Sequence, residues 1–196
     1  AISNDLALLY ELYPDRFADG QLDLPESGDG LPDLLGESLW NMRFWARLQE
    51  ADGSVHGGLE SESHPRWGDD SWTDSLALYL YAVDPKTTLM FSASAAITAQ
   101  ALARAGAADE ADDFLERSRR AFDWDEDQGL GDELRDLRNH AASELFRATG
   151  EDAYHGIVRS TSVWTADPRA AVWAYQSHDQ EAAAWAYVRS EGADPA

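Results

Sequence analysis

Within residues 31–48, Leu34, Leu35, Leu39, Met42, Trp45 and Leu48 recur at three- and four-residue steps, the stripe of a helix that buries one face. Pro32 suits the first turn of that helix, and Asp52-Gly53 stops it. The spacing returns from about Thr88, a candidate cap, through Phe91, Ala95, Ala99 and Leu102 to Gly106, where the many alanines imply close approach of a neighbour. Further stripes run from about Asp109 through Phe114 and Leu115 to Phe122, and from about Asp132 through Leu134, Leu137, Ala141, Leu145 and Phe146 to Gly150. Shorter helices are expected after Asp152, Asp167-Pro168 and Asp179. Strand-like alternation is confined to part of residues 76–83, so the chain reads as all-α, built of antiparallel helix pairs with short connections. A helical solenoid is the rival architecture, since residues 103–124 followed by 132–150 resemble one hairpin unit; residues 25–36 and the long tryptophan-bearing stretch do not recur, which counts against it.

The 196 residues, 44% apolar, are enough for one domain with a sizeable core. Fifteen basic against 37 acidic residues give a formal charge of -22, which repels phosphate-bearing partners and argues against nucleic acid and anionic membrane surfaces. No apolar run approaches the roughly 20 residues of a spanning helix. Lys86 is the one lysine; an acidic surface that uses arginine in place of lysine suits concentrated salt. Ala1-Ile2-Ser3-Asn4 lacks the basic-then-apolar pattern of a leader, and without cysteine there are no disulfides or thiolate sites.

Two stretches depart from the helical pattern. In the first, residues 25–38, Pro25 and Pro32 fix φ, Gly28 and Gly30 permit conformations closed to other residues, and Asp33 and Glu37 fall on the first turns of the helix. Glu26, Ser27, Asp29 and Asp33 are expected to brace this entry and not to perform chemistry. In the second, residues 49–75, glycine, serine, acids, two histidines and two tryptophans form a long loop, and loops of that length are commonly functional.

The segment Tyr10-Glu11-Leu12-Tyr13-Pro14-Asp15-Arg16-Phe17, then Asp19-Gly20-Gln21-Leu22-Asp23-Leu24 and the PESGDGLPDLLGES run from Pro25 to Ser38, resembles the catalytic domain of glycoside hydrolase family 9. Trp40, Leu48-Gln49, Asp52-Gly53-Ser54-Val55-His56, Phe91-Ser92-Ala93-Ser94-Ala95-Ala96 with Ala99-Gln100, and the run from Ala141 to Glu151 continue the likeness over roughly residues 5–155. The resemblance implies an (α/α)6 barrel of six helical hairpins and an inverting hydrolase of β-1,4-glucan or related β-linked oligosaccharides. It also implies a secreted or periplasmic enzyme. Inversion uses two carboxyl groups roughly 6.5 to 9.5 Å apart. In the family the water-activating aspartate lies shortly before the segment matching residues 8–17, and the acid glutamate lies near the end of the domain. Residues 1–196 are therefore expected to form an incomplete central portion of such a domain. No residue is assigned a catalytic role, and Glu181 and Glu191 lack the surrounding pattern. Asp136 matches a calcium-associated Asp-Glu pair, but Leu137 stands in place of the second acid, so no cofactor is expected.

In the loop, Arg66, Trp67, Asp70 and Trp72 supply the chemistry of a sugar site, rings for stacking on C–H faces and charges for hydroxyls. The other reading, which the sequence favours, makes the tryptophans anchors of a structural loop. Mutual repulsion in Asp69-Asp70, and an ion held by His56, His64, Glu60 and Glu62, are the less favoured alternatives. The acidic run Asp123, Asp125, Glu126, Asp127 reads as a solvated turn, and His140 as packed between helices. Trp164, Trp173, Tyr175, Trp185 and Tyr187 read as core positions. A non-catalytic helical module that binds sugar or protein is the alternative function, and helix faces left uncovered are expected to drive homo-oligomerisation.

Overall fold

The computed structural model describes residues 2–70, 72–129, 134–166 and 180–194. Helix α1 (Ile2–Leu12) is followed by a 3-10 turn at Pro14–Arg16, α2 (Asp33–Arg47), the short strands β1 (Leu59–Ser61) and β2 (Leu78–Leu80), α3 (Pro85–Ala105) and α4 (Ala108–Gln128). After these come α5 (Arg135–Thr149), α6 (Asp152–Thr161), the four-residue α7 (Val163–Ala166) and α8 (Gln180–Val188). Helices α1, α3, α5 and α8 pack side by side as an inner row, while α2, α4 and α6 lie outside them as partners of α1, α3 and α5. The result is an all-α fold built as an arc of an (α/α)6 toroid, as the stripes and the resemblance implied. No helix among the described residues is long and apolar enough to cross a membrane.

Helix α3 is shared by two cores. One gathers Ala7, Tyr10, Leu35, Leu39, Phe91, Leu102 and Phe114 from α1 to α4. The other gathers Leu89, Phe122, Leu137, Leu145, Phe146 and Val158 from α3 to α6. Small residues let α3 approach α4 closely: the buried Ser92 and Ser118 hydroxyls each donate to the other's carbonyl, at 2.9 and 2.7 Å. The helix starts earlier than the sequence reading placed it. Asp84 is the cap, accepting from Thr87 N–H at 2.8 Å, with Pro85 next to it, and Thr88 lies inside the first turn. At the other end Gly106 takes a left-handed φ of 85° and returns its N–H to Ala103 and Leu102.

Other boundaries and assignments shift too. The sequence reading gave no element to residues 2–12, yet Ser3, Ala7 and Tyr10 make the buried face of a helix there. Asp167-Pro168, Trp173 and Tyr175 lie outside the described residues. Trp185 was expected in the core and is 48% exposed, with the Arg189 guanidinium 5.4 Å from its ring. Tyr187 and His140 do pack between helices, and Trp164 is half-buried. The acidic run is not a solvated turn: it forms the last turns of α4, where Asp125 is fully buried and neither carboxyl oxygen has a hydrogen-bond partner. Burial, with Glu126 next to it, pushes the Asp125 carboxyl up to about 6.

Candidate functional site

Antiparallel packing puts the start of α1, the end of α2 and the start of α3 at one end of the arc. Ser38 Oγ and Asn41 Nδ2 on α2 donate to Ser3 O and Ser3 Oγ at 2.9 and 2.7 Å, and Ser3, Asn41, Trp45 and Thr87 line one shallow cavity. Residues 48–84 emerge at that end. The loop root is tied to the helices on both sides. Gln49 Nε2 donates to Arg117 O at 2.9 Å while Gln49 Oε1 accepts from Arg120, which fixes the loop to α4. Val55 N–H donates to Thr88 Oγ1 and Val55 O accepts from Asp84 N–H, both at 3.0 Å, which fixes it to α3. Gly53 sits so close to α4, at φ 102°, that a Cβ would fall 2.2 Å from Arg120 O. Asp52 turns the chain by accepting from Ser54 N–H and Oγ, and the Ser54 hydroxyl above all holds its carboxyl below the usual range.

From this root a short antiparallel ladder carries the loop outward, pairing Leu59 with Leu80, Glu60 with Tyr79 and Ser61 with Leu78. His56 stands at its base between two acceptors, with Nδ1 at 2.6 Å from Tyr81 O and Nε2 at 2.7 Å from Glu50 Oε1. The tip is held by local turns. Arg66 N–H donates to Asp69 Oδ2 at 2.9 Å, and the Asp70 and Thr73 backbones close a second turn with the Thr73 hydroxyl. Asp69 is thereby spent on the turn, and no carboxylate pair forms.

Trp67 is 105% exposed and Trp72 81%, so neither is an anchor. The anchoring is done by Gln49, Gly53, Val55 and His56, residues whose role depends on partners 25 to 71 positions away. Arg66, Trp67, Asp70 and Trp72 all stand on the exposed tip, and Tyr79 on β2 and Tyr81 just after it add two further exposed rings that the sequence reading did not single out. Such a ledge can stack on the flat faces of a ligand and hydrogen-bond its edges. Among the described residues no three of His, Cys, Asp and Glu converge as metal ligands; His56 turns to Glu50, away from Glu60 and Glu62. Asp136, the position matching the calcium pair, accepts from Gln180 Nε2 and so joins α5 to α8.

The Pro-Gly segment is braced by Ser27, Asp29 and Asp33 as expected, whereas the Glu26 side chain makes no hydrogen bond in it. The buried Asp33 carboxylate accepts from Gly20 N–H at 2.9 Å, from Leu22 N–H and from Ser27 Oγ, and the Leu22 N–H above all draws it below its ordinary range. Asp19 accepts from Gly28 and Gly30 N–H at 2.6 and 2.9 Å.

No family model matches the chain. It is 29% identical over 178 residues to Endoglucanase C of Cellulomonas fimi, which covers 78% of this chain and 16% of that protein. It is 30% identical over 95 residues to a cellulose 1,4-beta-cellobiosidase of Acetivibrio thermocellus, covering 43% of this chain and 10% of that one. A metagenome-derived glycoside hydrolase family 9 endoglucanase of solved structure superposes with a TM-score of 0.80 at 28% identity, over 99% of this chain and 38% of its own. The chain therefore spans a minor part of the length of the proteins it matches. Within that part, from α1 to α8, the chain is similar in both sequence and fold to glycoside hydrolase family 9 endoglucanases.

Proposed function

We propose that this chain is the central portion of a catalytic domain that hydrolyses β-1,4-glucan or a related β-linked polysaccharide with inversion, and that its loop contributes to substrate binding through Trp67, Trp72, Arg66 and Asp70. The observation that carries the reading is the display of Trp67 and Trp72 at the end of the arc where α1 and α3 begin. The family's water-activating aspartate precedes the segment matching residues 8–17, which puts it at that same end. Stacking on a pyranose needs only a presented ring, so the chain retains weak affinity, in the millimolar range or above, without either catalytic carboxylate. A polymeric glucan does not enter cells, so the enzyme acts outside the cytoplasm. No cofactor is required by the two-carboxylate mechanism. Ile2, Leu9, Leu12 and Val188 leave apolar area uncovered on the first and last inner helices, and copies of the isolated chain associate through these faces.

The test is a titration of cellotetraose against intrinsic fluorescence of the chain, Trp67→Ala and Trp72→Ala. A response that falls in either variant supports the reading. Equal responses in all three would remove the loop from the binding site.

A further inference from the structure

On the outer wall of the arc, α2 and α4 enclose a groove of about 350 Å3 that no residue of the loop lines. The volume falls at the lower end of the roughly 300 to 1,000 Å3 of small-ligand sites. On the α2 side stand Trp40, Arg43 and Arg47, spaced by three and four residues and so on one face, while Leu35, Leu39 and Met42 enter the core. Trp40 is 69% exposed. Across the groove, the Glu110 carboxylate accepts from Arg43 Nε and Nη2, at 2.8 and 2.9 Å, and Asp113 Oδ2 accepts from Arg117 Nε at 2.7 Å. The Arg47 side chain makes no hydrogen bond or ion pair among the described residues, in a chain with 37 acids to 15 bases. Glu26 closes the groove, with its Oε2 buried from solvent.

We propose that this groove is a second carbohydrate-binding surface, holding a β-linked glucopyranose chain on the outside of the toroid; the proposal rests on the reading of the parent protein as a glucan hydrolase. The Trp40 ring offers a flat apolar face to the C–H face of a sugar ring. The unpaired Arg47 supplies donors and the exposed Asp113 carboxylate supplies acceptors for the hydroxyls around it. Groups of both signs line the walls, which suits a neutral, hydroxyl-rich ligand over an ion of either charge. A protein partner would call for a wider apolar centre than one ring provides. A surface of this kind on the outer wall keeps the polymer near the enzyme while the cleft works on another part of it.

The experiment is affinity electrophoresis of the 196-residue chain in gels containing hydroxyethylcellulose, with Trp67→Ala/Trp72→Ala, with Trp40→Ala, and with all three substitutions together. The expected result is that the loop double variant is still retarded and that adding Trp40→Ala lowers its affinity at least about tenfold, with Arg47→Ala acting in the same direction and Trp40→Phe retaining most of the retardation. Thermal melting of Trp40→Ala should match the parent, because the side chain lies outside the core. Loss of retardation in the loop double variant alone overturns the outer site and leaves the loop reading standing. Retardation unchanged by the loop substitutions and abolished by Trp40→Ala supports the outer site and overturns the loop reading. No retardation of the parent overturns both. Trp40→Ala that leaves retardation intact but turns a dimer into a monomer by light scattering makes the groove a protein interface and overturns the proposal.

Discussion

Arg147 on α5 reaches Glu11 at the end of α1 through two hydrogen bonds of 3.0 and 3.2 Å, joining helices 136 positions apart. The same guanidinium holds Glu144 at 2.9 Å, and Arg189 after α8 meets Glu11 at 3.2 Å. Glu11, Glu144 and Arg147 expose under a tenth of their side chains. Burial pushes the Glu144 carboxyl above the usual carboxylate range, with Arg147 pulling the other way. The inner row is thus pinned by charge at its centre. Removing one partner leaves buried charge uncompensated, so Arg147→Ala should lose about 3 to 5 kcal/mol in urea unfolding. A loss under about 1 kcal/mol would mean that water reaches the cluster.

Gly53→Ala should loosen the loop root. The new methyl group would meet Arg120 O at 2.2 Å, and backbone cannot yield as a flexible side chain can. With the strain of φ 102° added, the expected loss is at least about 2 kcal/mol, together with faster proteolysis within residues 54–84. Unchanged melting and cleavage would show that the contact relaxes freely.

Asp125 should make stability fall as pH rises. Its folded value of about 6 lies above the ordinary 3.8, so its contribution is complete below 3.8 and lost as pH climbs through 6. Asp125→Asn, neutral throughout, should gain about 1 kcal/mol more over the parent at pH 7.5 than at pH 5. Chemical denaturation of both proteins at the two pH values measures this, and a difference independent of pH would contradict the burial argument.

Sodium chloride should raise the melting temperature between 0.1 and 1 M. A formal charge of -22 repels itself, and the Debye length shrinks from about 10 to about 3 Å over that range. Surface pairs such as Arg43–Glu110 and Arg117–Asp113 lose strength together with the repulsion, but each is worth about 1 kcal/mol at most. A flat or falling curve would mean that local pairing already neutralises the acidic surface.

Hydrolysis of soluble β-glucan should be absent from the 196-residue chain, because inversion needs an acid and a base on opposite faces of the sugar and Asp70 belongs to an exposed loop tip. Release of reducing sugar that disappears in Asp70→Ala would reverse this assignment.

The sequence by itself determined the all-α class and most of the helices, because a stripe at three- and four-residue steps is a local property that survives without knowledge of partners. Leu35, Leu39 and Met42 of α2, and Leu137, Ala141 and Leu145 of α5, are buried as their spacing required. The bracing of residues 19–33 was equally legible, since prolines, glycines and short acids act over a few residues. Tertiary structure decided the rest. Asp125 and Trp185 exchange their expected places because burial depends on which neighbours cover a helix face, and composition does not specify that. The role of the loop tryptophans came out against the anchor reading that the sequence favoured: Trp67 and Trp72 are displayed because Gln49, Gly53 and His56 carry the anchoring through contacts with α4 and with Tyr81 after β2. Anchor and platform have the same side chain, and only long-range packing tells them apart.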